Sequence, residues 1–181
     1  MRVLSVFVVL LLGAVPVAAQ QDPPPEASGD LAEVMRSILF PNSNIIFDAQ
    51  SADPGAPVEA AAGDSTTARF SGIYTGWEQV ENAAIALAES ANLITLPRQC
   101  ENVDDDPARN GEPVPIERDD WKQHTARLRE VGLAAAEWAR RRVYDEDEVL
   151  FITGDVAEAC SNCHSVYRDS YTDPPKARCV P

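Results

Sequence analysis

The chain has 181 residues and carries 29 Asp and Glu against 15 Lys and Arg, a net charge of −14. That balance excludes binding to nucleic acid or to an anionic membrane surface through bulk charge, and its natural electrostatic complement is a basic partner. The length suits one domain with its own core.

In chain order, Met1-Arg2 is followed by an uncharged apolar run from Val3 to Val15 and then by Pro16-Val17-Ala18-Ala19. A positive start, an apolar core and small residues at the cut predict a secretory signal peptide over residues 1–19. An apolar run broken by a proline is marginal for crossing a bilayer, and nothing later in the chain approaches it. The expectation is therefore an exported, periplasmic protein with no membrane span after cleavage, and a mature single domain over 20–181. Cleavage also removes Arg2 and makes the mature chain one charge more acidic. Residues 20–29, with Pro23-Pro24-Pro25, predict a flexible leader.

Four stretches then carry helical periodicity. The first opens at Asp30, a good cap with Glu33 three residues on, and aligns Leu31, Met35, Ile38 and Leu39. Pro41 is expected to end it, with Asn42 or Ser43 capping a further short piece through Phe47. Asp48 to Phe70 reads as a long loop. The second helix is expected from Gly72 or Thr75 to Leu96, with Val80, Ala84, Leu87, Ala91 and Ile94 in line. Residues 98–118 hold Asp104-Asp105-Asp106 and several prolines, a second long loop. The third helix takes Asp119 or Asp120 as its cap and sets Trp121, His124, Leu128, Val131, Ala135 and Trp138 in one stripe, with Arg140-Arg141-Arg142 in its last turn. The fourth runs from Asp145 to about Tyr171. No stretch alternates with period two long enough for a strand. Four amphipathic helices bury their stripes best against one another, so the predicted fold class is all-α, a four-helix bundle.

The strongest local signal is Cys160-Ser161-Asn162-Cys163-His164 in the last helix. Positions i, i+3 and i+4 share a helical face. Two thiols there can form thioethers with the two vinyl groups of one haem edge, and the adjacent imidazole then reaches the iron. A zinc site needs two further ligands at suitable spacing, and Cys100 and Cys179 are isolated. A redox dithiol follows a strand, whereas Val149 to Ala159 reads as helix. The expected cofactor is one covalent haem c, held by Cys160 and Cys163 with His164 as an iron ligand. Export also permits a disulfide between Cys100 and Cys179, closing a loop worth roughly 4 kcal/mol in the chain-entropy model. Two unpaired thiols are the alternative.

The segment Gly154-Asp155-Val156, then Cys160 to His164, then Tyr167-Arg168 resembles the class II c-type cytochromes, the cytochrome c-prime family. Their last helix carries Cys-x-x-Cys-His-x-x-Tyr/Phe-Arg/Lys. The resemblance implies an antiparallel four-helix bundle with haem near one end, Tyr167 packed by the haem, and Arg168 near the imidazole of His164 or a propionate. It also implies a homodimer through the first two helices. The chain departs from the family in its long segments 49–70 and 98–118, in its extended tail, and in Leu31, where a basic residue is frequent.

The position opposite His164 divides two functions. In the family the first helix faces it, and Met35 is the one methionine left after cleavage. Ligated by Met35, the iron is six-coordinate and the protein is an electron carrier, not an enzyme, meeting a redox partner with a basic surface. An open pocket lined by Met35, Ile38 and Leu39 would instead make a five-coordinate protein that binds small gases. His124, the only other histidine, is the remaining candidate ligand.

Overall fold

A computed structural model describes residues 26–57, 65–101, 111–168 and 178–181. The expected signal peptide and most of the expected leader lie outside the described residues. Helix α1 is continuous and composite: Leu31–Val34, a π-helical turn Met35–Leu39, and Phe40–Asp48. Three long helices follow, α2 Gly76–Leu93, α3 Asp119–Arg141 and α4 Glu146–Tyr167. Among the described residues the only β pairing is an isolated bridge between Gln99 and Pro113. The fold is all-α with four packed helices.

Direction follows from the contacts between helices. Arg129 pairs with Glu89, Arg140 with Glu81 and Arg142 with Glu78, so α3 runs against α2. Arg118 meets Tyr167, Arg127 meets Asp155 and Arg141 meets Glu148, so α4 runs against α3. Gln50 at the end of α1 donates to Thr153, and the start of α1 shares a cavity with His164, which sets α1 against α4. Such exposed ion pairs contribute little energy, but they record register.

The start of α1 follows its capping signal. Asp30 accepts from the Glu33 N–H at 2.7 Å, and Glu33 accepts from the Asp30 N–H at 2.9 Å. Pro41 does not end the helix, contrary to expectation. The chain widens into i→i−5 bonding just before it, with the Phe40 N–H reaching the Met35 carbonyl. Pro41 then occupies the first turn of the next α-helical segment, where a missing N–H costs least. Side chains bond the carbonyls around the disturbed turn: Asn42 Nδ2 donates to Ile38 at 2.7 Å, and Ser43 Oγ donates to Phe40 at 2.9 Å.

Three further boundaries differ. Helix α2 stops at Leu93 rather than Leu96, its last N–H bond made by Ile94 to Ser90. Helix α3 is preceded by Arg118, not capped by Asp119 or Asp120; Asp120 instead bonds the Trp121 N–H from within the first turn. The expected loop from Asp48 to Phe70 contains a helical turn, Thr66–Arg69, and a 3-10 turn, Ser71–Tyr74, follows it. Helix α4 ends at Tyr167, with 169–177 outside the described residues.

The core joins the expected stripes. Val80, Ala84, Leu87, Ala91 and Ile94 are buried against Trp121, Leu128, Val131, Ala135 and Trp138. Small residues bring α2 and α3 close: a Cβ on Gly132 would stand 2.7 Å from the Ala88 nitrogen. At the start of α2 and the end of α3, Trp77 and Trp138 pack edge to face, with ring centres 5.1 Å apart. No described helix is long and apolar enough to cross a membrane.

Candidate functional site

At the other end the helices do not close on one another. They enclose a cavity of about 410 Å³ that opens to solvent, within the range of cofactor pockets. Helix α4 lines it with Ala159, Cys160, Cys163, His164, Tyr167 and Arg168. Helix α1 contributes Leu31, Met35, Leu39, Phe40 and Phe47; α3 contributes Trp121, His124, Thr125 and Leu128. Leu87 and Ile94 reach it from α2 and its end.

Cys160, Cys163, His164, Tyr167, Arg168, Met35, Leu39 and His124 therefore border one space, whereas Ile38 packs against the core instead. The i, i+3, i+4 spacing works as helical geometry dictates, because α4 is unbroken through Cys160, Cys163 and His164. Cys160 and Cys163 stand as half-buried thiols. Burial pushes both thiols up; for Cys163, with the neighbouring Cys160 thiol and Asp120 adding to it, the pKa reaches about 11. Met35 opens the π-helical turn and is half-buried.

Tyr167 is buried beneath the site. Its ring meets Trp121 edge to face at 5.0 Å and His124 at 6.0 Å. Its hydroxyl accepts from Arg118 Nε at 3.2 Å, while Arg118 grips both oxygens of Asp120 at 3.0 and 2.9 Å. Hydrogen bonding to Arg118 holds the Asp120 carboxyl well below the usual range. Burial, then the neighbouring Asp120, pushes the Tyr167 phenol up. The periodicity of α3 located Trp121 and His124, but nothing local marked Arg118 and Asp120 as partners of Tyr167.

Cys100 and Cys179 stand at disulfide distance, their Cα atoms 6.3 Å apart and 79 residues apart in sequence. The bridge lies at the cavity wall. Cys100 bonds Glu112 across the loop at 2.8 Å, and the Cys179 N–H bonds the Tyr167 carbonyl at 2.9 Å. A Cβ on Gly111 would fall 1.9 Å from the Cys100 carbonyl oxygen, so only glycine permits this crossing. Sequence reasoning missed Arg36, Glu101 and Arg178, which also line the cavity. The signal available for two of them was adjacency: Glu101 and Arg178 are the chain neighbours of the paired cysteines.

The lining suits a haem. It is mainly apolar, it offers two thiols and an imidazole on one helical face, and it adds a thioether and arginines elsewhere on its wall. Among the described residues no group of three or more His, Cys, Asp or Glu side chains converges on a bare metal ion. No family model, no curated protein and no solved structure matches this chain.

Proposed function

We propose that the chain is an exported, periplasmic c-type cytochrome of the class II kind that carries electrons through one covalently attached, six-coordinate haem. A single observation carries this reading: Cys160, Cys163 and His164 share one helical face of α4 and line an apolar cavity that Met35 of α1 also lines. Cys160 and Cys163 would hold the porphyrin as thioethers, and His164 and Met35 would ligate the iron. Bound there, haem supplies reversible one-electron exchange.

The chain's own residues do the rest. Leu31, Leu39, Leu128 and Ala159 keep the site apolar, which would favour the less charged state of a bound iron, as thioether ligation by Met35 also would. Tyr167, anchored through Arg118 and Asp120, supports the end of α4 where His164 sits. The net charge of −14 suits a basic docking surface on the redox partner, so transfer rates fall as salt rises. No catalytic residue is assigned.

The test is expression in a host that attaches haem, followed by extraction into acidified organic solvent. Pigment retained by the protein supports the reading; colourless protein, or pigment lost to the solvent, overturns it. A second reading draws on the same cavity, where Leu39, Phe40 and Phe47 supply bulky apolar surface on the helix of Met35. Rapid, complete conversion of the reduced protein by carbon monoxide would select that five-coordinate, gas-binding form. An unchanged low-spin spectrum selects the carrier.

A further inference from the structure

The charge at the cavity runs against the charge of the chain. Overall, acids outnumber bases 29 to 15. Among the described residues the cavity is lined by three arginines, Arg36, Arg168 and Arg178, and by one carboxylate, that of Glu101. Two of these arginines share that carboxylate: Arg36 bonds one oxygen of Glu101, and Arg178 Nε lies 3.8 Å from the other. Arg178 also donates to the Arg168 carbonyl at the end of α4.

The covalent framework explains why these groups meet. Glu101 follows Cys100, Arg178 precedes Cys179, and the bridge brings both beside Arg36 of α1. Among the described residues, Arg36 and Arg178 against Glu101 leave one positive charge at the edge of an apolar cavity, and Arg168 beside them adds a second. An apolar ligand bearing two carboxylates matches that charge, and guanidinium–carboxylate bonds are among the stronger, more directional polar contacts.

We propose that Arg36 and Arg178, drawn together across Glu101 by the Cys100–Cys179 bridge, form a binding rim for the propionate carboxylates of the haem. The inference rests on the haem reading and assigns residues to one end of the same ligand. Arg36 and Arg178 act as positioning residues: they set how the porphyrin is turned in the cavity and do not touch the iron.

The experiment uses the mature full-length chain carrying Cys160→Ala and Cys163→Ala, so that porphyrin binding is reversible. It is titrated with iron protoporphyrin IX and, separately, with the dimethyl ester, while the Soret band is followed. The free acid should bind about tenfold or more tightly than the ester, the worth of at least one charge-assisted bond. Adding Arg36→Gln and Arg178→Gln should weaken the free acid alone and bring the ratio towards one, and Arg36→Lys with Arg178→Lys should restore part of it. Equal weakening of both ligands, or an unchanged ratio, overturns the rim while leaving the haem reading intact. Failure of both porphyrins to bind the helical parent chain, as judged by circular dichroism, overturns both.

Discussion

Between Trp77 and Trp138 the bundle is filled, whereas between Met35 and His164 it leaves about 410 Å³. At the filled end Ala84, Ala135, Ala136 and Ala139 are buried almost completely, and in the middle of the bundle Gly132 lies against the Ala88 backbone. Small residues let α2 and α3 approach until no space remains. At the cavity end Met35, Leu39, Phe47, Trp121 and Leu128 are larger, yet they do not fill the volume between them. Protein interiors are packed like organic crystals, with few voids larger than a water. A gap on this scale, walled by apolar side chains and edged by thiols, imidazole and guanidiniums, suits a ligand of the kind proposed above. The closely packed end supplies rigidity, and the open end uses it.

Perturbing each end separately sharpens the contrast. The largest effect belongs to Cys160→Ser with Cys163→Ser, which should abolish pigment retained through acid extraction while far-UV circular dichroism keeps its helical form. Retained covalent pigment would break the assignment of the thiols. Next comes Met35→Ala, which should turn a protein inert to carbon monoxide into one that binds it when reduced. If the spin state stays as it was, Met35 is only packing.

Cys100→Ala with Cys179→Ala should cost about 4 kcal/mol, because the bridge closes a loop of 79 residues in the unfolded chain. Denaturant unfolding of parent and variant measures it, and coincident curves would remove the bridge from the account. The smallest effect is expected from Gly132→Ala, in the middle of the bundle. The added methyl meets Ala88 backbone, so a loss of about 1–3 kcal/mol is expected despite the better helix propensity of alanine. The melting temperature should fall with the visible spectrum unchanged. A spectral change would mean that this helix contact is coupled to the cavity.

Much of this was legible along the chain. The stripes of α2 and α3 are what 3.6-residue periodicity makes of their leucines, valines, alanines and tryptophans, and nearly all are buried as expected. Asp30 and Glu33 announce their capping box by spacing alone. Pro41 misleads because its usual consequence, a stop, is only one way to lose an N–H bond. Here a π turn absorbs the ring, and Asn42 and Ser43 bond nearby carbonyls. Asp120 misleads in a similar way: a good capping residue is taken by Arg118 and drawn into the bonding of Tyr167.

The amino-acid order by itself determined the four helices and the shared face of Cys160, Cys163 and His164, since both depend on separations of three and four residues. Only the tertiary structure decided that Met35 and His124 border the same space as that face, that Cys100 reaches Cys179, and that Arg36 meets Arg178 across Glu101. Those meetings join residues far apart in the chain. They depend on the direction and depth at which each helix packs, which periodicity within one helix does not encode.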